Sequence, residues 1–196
     1  MNNSIVILQF SPRNKGNCGT ISAFLRDYYG PEKAAEFQIG SGVFGPCGHC
    51  DYECLKPGVQ CPSLTDKERE ILDTVCRAEL VYFIVPNYCG WPCANYFAFN
   101  ERTVGYFNGD RQRMRQYMDV KKRFIVISNS EGFEAAMSQQ AEQPEILYLK
   151  SRAYGKQIIA GDLLDSQQAR NDLLRFITGA HPEESEIVPA ENNGLS

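Results

Sequence analysis

Ser11-Pro12-Arg13-Asn14-Lys15-Gly16-Asn17-Cys18-Gly19-Thr20 places hydroxyls, amides, a fixed cation and glycines between an apolar run and a helical pattern. A loop that ends where a helix begins offers an anion free backbone N–H groups and the positive end of the helix dipole. Ser11, Asn17 and Thr20 add neutral donors, and Arg13 can grip phosphate through two N–H groups. Gly16 and Gly19 let the backbone come close. The run is neither G-x-x-x-x-G-K-[ST] nor G-x-G-x-x-G, so an ATP-type P-loop and a dinucleotide fingerprint are both excluded. An ordinary polar strand-to-helix turn uses the same residue types, and this loop alone leaves both readings open.

A second constellation is Cys47-x2-Cys50-x3-Cys54-x6-Cys61, half of the eight cysteines in one short segment. Four thiolates can hold a [4Fe–4S] cluster, although compact cluster runs carry two residues where this one carries three between its second and third cysteines. Four thiolates also suit zinc, but only one C-x2-C pair is present. Free thiols over a cofactor or at a subunit interface are the third reading. Cys89 and Cys93 lie four apart, where a disulfide across one helical turn is awkward, so thiols are expected. The only histidines are His49 and His181, too few for a histidine-based mechanism.

These residues need a frame. Ser4–Phe10 predicts a buried strand and Thr20–Tyr29 a helix stopped by Gly30-Pro31. Ala34–Ile39 predicts a second strand, followed by an irregular loop from 40 to 63. Thr65 and Glu68 match a capping box for a helix running to Cys76. Leu80–Val85 predicts the third strand, Pro86–Pro92 a second loop, and Pro92–Tyr106 a helix that the polar stretch from Asn108 to Asp119 would extend. Phe124–Ser128 predicts the fourth strand, with a third loop over Ser128–Phe133. Glu134–Gln140 reads as helix, Ile146–Leu149 and Gln157–Ala160 as short strands, and Asp165–Thr178 as the last helix. Strands alternating with helices predict a parallel sheet covered on both faces, and all three loops would open at its carboxyl edge.

The chain has 196 residues, net charge −4, 43% hydrophobic and 22% charged residues, which fits one globular domain. That charge gives no general attraction to nucleic acid or to an acidic membrane. No apolar run reaches membrane-spanning length and no signal core is visible, so a cytoplasmic protein is expected. In that compartment cysteines stay reduced. Arg111, Arg113, Arg115, Lys121, Lys122 and Arg123 form a basic stretch, read as a solvated face or as a contact for an extra phosphate or an acidic redox partner.

Together these loops resemble a known family. Ser11-Pro12-Arg13 followed by Gly16-Asn17 is similar to the phosphate loop of the NADPH-dependent FMN reductases, where S-P-R-x-x-G-N-[TS] opens the first helix. Pro86-Asn87-Tyr88-Cys89-Gly90-Trp91, continuing through Phe99, Glu101 and Arg102, resembles that family's P-x-Y-x-G-x run and its helix ending in an acidic-arginine pair. Cys47-Gly48-His49-Cys50, Cys54 and Cys61 resemble the cysteines of the iron–sulfur flavoprotein branch. The resemblance runs from Ser4 to about Arg102, with a weaker echo to Thr178. Two features depart from it: Cys18 stands where Thr or Ser is usual, and Ser128-Asn129-Ser130-Glu131-Gly132 replaces a glycine-rich loop.

The resemblance implies a flavodoxin-like three-layer α/β sandwich with a five-stranded parallel sheet in the order 2-1-3-4-5. Residues 1–180 would form the FMN-binding domain, with a cysteine-rich insertion at 40–63 and an acidic, flexible tail at 181–196. FMN would be held by Ser11, Arg13, Asn17, Cys18, Gly19 and Thr20 in the first loop, and by Pro86, Asn87, Tyr88, Cys89, Gly90 and Trp91 in the second. Ser128, Asn129 and Gly132 would complete the site. The cofactor would carry the chemistry, with no separate catalytic residue. NAD(P)H would be co-substrate, a small molecule or protein the electron acceptor, and the assembly a homodimer or homotetramer. The metal set would be Cys47, Cys50, Cys54 and Cys61, for [4Fe–4S] or zinc. The rival activities are a non-enzymatic electron carrier and a thiol- or zinc-dependent sensor.

Overall fold

The computed structural model describes residues 4–40, 43, 45–48, 50–56, 59–65, 67–130, 134–138, 140–141, 143–157 and 160–179. The expected tail at 181–196 lies outside them. So do Gly132, His49 and residues 158–159 of the strand expected at Gln157–Ala160, whose two ends are not strand.

The main strands are β1 (Ile5–Gln9), β2 (Ala34–Gln38) and β3 (Leu80–Tyr88). A two-residue β4 (Trp91–Pro92) precedes β5 (Lys121–Ile127) and β6 (Glu145–Leu149). The helices are α1 (Asn17–Tyr29), α2 (Lys67–Val75), α3 (Ala94–Phe107), α4 (Arg111–Asp119), α5 (Glu134–Ser138) and α6 (Gln167–Thr178). The sheet order is β2-β1-β3-β5-β6, with all four of these pairings parallel, while β4 pairs antiparallel with β3. Counting only the parallel strands, this is the order 2-1-3-4-5.

Residue alternation explains the layers. In β1, β3 and β5, Val6, Leu8, Val81, Phe83, Phe124 and Val126 face one core, with Ile71 and Val75 of α2 and Tyr96 and Phe99 of α3. Their neighbours Ile5, Ile7, Tyr82, Ile84, Ile125 and Ile127 face the other core, with Ile21 and Leu25 of α1 and Leu173 and Ile177 of α6. Strands covered on both faces read as continuous apolar runs. The chain therefore has the flavodoxin-like three-layer architecture.

Two aromatic contacts fix the carboxyl edge of the sheet. Phe10 stacks on Phe83 with centroids 5.8 Å apart and meets Phe99 edge-on at 5.7 Å. The carbonyl of Phe10 accepts from Asn95 Nδ2 at 3.2 Å, and the same amide donates to Ile39 O at 3.1 Å. The start of α3 is thus tied to the ends of β1 and β2.

Three expectations change. The helix expected to run on through Asn108 breaks there, because Asn108 and Gly109 take positive φ (42° and 74°) and Asp110 then caps a separate α4 through the amides of Gln112 and Arg113. The second loop is a hairpin: Cys89 and Gly90, at φ 55° and 85°, turn β3 directly into β4. Glu68, expected at an open helix start in a capping box with Thr65, is fully buried and pairs with Arg102.

Candidate functional site

The first loop crosses from β1 to α1 over the sheet edge. Glutamines hold it from below: Gln9 Nε2 donates to Arg13 O at 3.4 Å and Gln38 Nε2 to Ser11 O at 3.2 Å. Ser11 is buried, and its Oγ accepts from the Arg13 amide at 3.2 Å. Gly19 is compulsory for this path, since a Cβ there would lie 2.1 Å from Asn14 O. α1 starts at Gly16 with no side-chain cap and no acidic residue in its first turn. A helix start of this kind suits an anion.

A narrow pocket of about 30 Å³ opens at this point, lined by Ser11, Arg13, Gly16, Asn17, Cys18, Pro86, Asn87, Tyr88 and Ile127. It joins the ends of β1, β3 and β5 to the start of α1. The volume suits a water or one oxygen of an anion rather than a ring system. Arg13 is exposed at its rim. Cys18 is buried, and that burial, followed by the neighbouring Cys93 thiol, pushes its pKa far above the ordinary range, so it is a neutral thiol there.

Asn17 and Thr20, two of the expected donors, also make hydrogen bonds within the chain. The Asn17 amide donates to Gln157 O at 3.1 Å and accepts from the Leu163 amide at 3.1 Å. Thr20 Oγ1 donates back to Asn17 O at 3.0 Å. Asn17 also lines the pocket. Gly161, on the segment that Asn17 grips, packs so tightly that a Cβ would meet Lys15 O at 2.1 Å. Neither Gly161 nor Leu163 carried a local signal, because they reach the first loop from the far end of the sequence.

The second and third loops are joined by Asn87. Its Nδ2 donates to Ser128 Oγ at 2.6 Å and Ser130 Oγ at 2.9 Å, while its Oδ1 accepts from the Gly90 amide at 2.8 Å. Tyr88 lines the pocket, and Trp91 pairs with it across the hairpin, largely exposed. Cys89 and Gly90 form the exposed turn between them. Asn129 accepts the Arg152 amide at 3.0 Å, and among the described residues its buried Nδ2 has no partner. Cys93 is buried against Phe10 O, so it and Cys89 occupy different surroundings.

The basic stretch is not one face. Lys122 and Arg123 are buried, Arg123 donating to Ile177 O at 2.7 Å and pairing with Glu145 at 2.6 Å. Lys121 pairs with the same carboxylate at 2.7 Å. Arg111, Arg115, Lys121 and partly Arg113 remain on the surface.

The cysteine segment folds onto the second half of α3. Cys47, Cys50, Cys54 and Cys61 all line one cavity of about 300 Å³, with Tyr52, Leu55, Val104 and Gly105 among its walls. Cys54 has its pKa raised, first by burial and then by Cys61, Cys47 and Cys50. A Cβ on Gly105 would lie 2.9 Å from both Cβ and Sγ of Cys61. Among the described residues, no three His, Cys, Asp or Glu side chains lie close enough to hold a single metal ion. Also among them, no helix is long and apolar enough to cross a membrane.

No protein-family model matches the sequence, and no curated protein matches it. Among solved structures, an apo-form NADH:FMN oxidoreductase (EmoB) is similar, at 16% identity and TM-score 0.49, over 92% of this chain and 91% of that one. The flavodoxin-like architecture follows from the strand order and the two helical layers themselves.

Proposed function

We propose that this chain is an FMN-dependent NAD(P)H oxidoreductase, passing hydride equivalents from a nicotinamide through flavin to a small-molecule or protein acceptor. The observation that carries this reading is the pocket where the uncapped start of α1, Arg13 and the ends of β1, β3 and β5 converge. Its groups fit a phosphate dianion: amides at the helix start, a guanidinium at the rim and no acidic side chain in the first turn. The partnerless Nδ2 of Asn129 supplies a donor at the third loop, where a flavin ring edge would lie.

Bound FMN supplies the redox chemistry. Arg13 would bind and orient its phosphate. Asn87 would keep the second and third loops in register. Tyr88 would offer an aromatic face to the ring. The exposed Trp91 would shield that face from water. The 30 Å³ pocket would take an oxygen of the phosphate, and the ring would lie outside it, beside Tyr88 and Asn129.

Arg13→Ala tests this reading. Arg13 is exposed, so the fold should persist, while loss of a charge-assisted bidentate grip should weaken FMN binding about 10- to 100-fold. Fluorescence titration with FMN reads this directly. Undiminished affinity would remove the phosphate from this loop, and with it the reading.

The cysteine cavity favours a second redox centre and, with it, the alternative of an electron carrier. Four thiolates around one zinc ion sit about 3.8 Å apart, given a Zn–S distance of about 2.3 Å. A [4Fe–4S] cluster takes four thiolates and fills more space than one ion, and these four cysteines line one cavity of about 300 Å³. Gly105 lets Cys61 pack directly against α3, since a Cβ there would lie 2.9 Å from its Cβ and Sγ. A cluster supplies one-electron transfer, and the largely apolar walls would limit its contact with water. Steady NAD(P)H consumption with an added acceptor supports the enzyme. A flavin reduced only by dithionite or a protein donor supports the carrier.

A further inference from the structure

We infer that Arg102 is a positioning residue for the cysteine cavity, clamping both ends of the segment that bears its four thiols. Its Nη1 donates to Gly45 O at 2.9 Å, two residues before Cys47. Its Nη2 donates to Ser63 O at 2.6 Å, two residues after Cys61. Its Nε faces the Glu68 carboxylate at 3.0 Å, and the two side chains are 2% and 0% exposed. One planar fork therefore closes the base of the segment from Gly45 to Ser63, while the next turn of α3 presents Gly105 to Cys61. Lysine could not bridge three acceptors held in these directions.

The clamp has a physical purpose that core stability does not supply. A buried Arg–Glu pair is often no more stable than apolar residues of similar volume. What apolar residues cannot do is hold two carbonyls on either side of a loop. Closing a loop of this length costs conformational entropy, and here that cost is met by the fold before any ligand binds. The four thiols are thus presented together, with their ordering largely prepaid. This inference rests on reading the cavity as a cluster site.

The decisive variant is the double change Arg102→Met with Glu68→Leu, which removes the clamp without leaving a buried charge. In metal-free protein, site-resolved alkylation by mass spectrometry should show Cys50, Cys54 and Cys61 reacting about tenfold faster, with buried Cys18 and Cys93 unchanged. After anaerobic reconstitution, iron and sulfide should be lost to a chelator about tenfold faster than from the parent, with FMN content unchanged. General loosening would expose Cys18 and Cys93 as well and would overturn the inference. An unchanged alkylation pattern would also overturn it. Should the double variant fail to fold, Arg102→Lys, which keeps the charge facing Glu68 but loses the fork, decides by the same readouts. Should the parent itself take up no iron and sulfide, the cluster reading fails, and the alkylation arm still decides on the clamp.

Discussion

Asn17 and Leu163 lie 146 residues apart in sequence, yet the Asn17 side-chain oxygen accepts the Leu163 amide at 3.1 Å. The other end of the same amide donates to Gln157 O. The first turn of α1 is thereby tied to the segment leading into α6. Asn17→Ala would leave a buried backbone N–H and a carbonyl unpaired, each costing roughly 1–3 kcal/mol. We expect a loss of about 2–4 kcal/mol in chemical denaturation and weaker FMN binding, because the helix start that faces the phosphate is no longer braced. A variant as stable as the parent would mean that solvent replaces both partners.

The strand-to-helix framework was legible because its signals are local. Val6, Leu8, Ile5 and Ile7 alternate between two cores, and the same alternation recurs in β3 and β5. The start of α1 was also legible, since Gly16 sits at the junction of an apolar run and a helical period. The partners of Asn17 were not legible, because they come from the opposite end of the chain. Lys122 and Arg123 looked like surface charge because a basic run carries no mark of which members turn inward as β5 pairs with its neighbours. Arg102 was legible as a motif residue beside Glu101, but its pairing with Glu68 on the preceding helix was not. Pro86–Pro92 read as a loop because Cys89-Gly90 is not among the usual hairpin turns, although both residues take the required positive φ.

Gly161 carries the second prediction. Its φ is +77°, and an added Cβ would meet Lys15 O at 2.1 Å, a backbone atom that cannot swing aside as a side chain can. Gly161→Ala must either strain its own backbone or push the first loop outward. A loss of at least about 1–3 kcal/mol in stability is expected. Thermal melting with and without FMN separates two cases. A smaller FMN-induced rise in Tm than in the parent places the displacement at the phosphate loop. An equal rise would show that the strain is absorbed elsewhere.

Lys122 yields a pH prediction. It is buried, and its ammonium donates to Tyr117 O and to Val120 O. Burial lowers its pKa to about 8, with Cys76 and Asp119 opposing only in part. Unfolded, it titrates near 10.4. Between these values the unfolded chain holds more protons, so this group's contribution to stability rises with pH across that window. Buried groups with raised pKa values, Cys76 and Tyr106 among them, act in the opposite sense. The comparison must therefore be parent minus Lys122→Met. That difference in unfolding free energy should rise by on the order of 2 kcal/mol from pH 7.5 to 10.5 in urea titrations. A flat difference would mean that the lysine remains charged and solvated in the folded state.

Gly105 lies inside α3, where glycine costs roughly 0.5–1 kcal/mol relative to alanine. A helix that needed only stability would place alanine there. The structure supplies the opposing reason: an added Cβ would stand 2.9 Å from Cys61 Cβ and Sγ, inside the thiol-lined cavity. Gly105→Ala is expected to fold and to bind FMN as the parent does, since its site is remote from the first loop. It should bind less iron and sulfide on anaerobic reconstitution, because Cys61 must shift from its present place in the cavity. Iron and sulfide content per chain, measured beside FMN content, reads both halves. Normal cluster loading would show that Cys61 is free to shift without penalty and that the clearance at Gly105 has no part in the site.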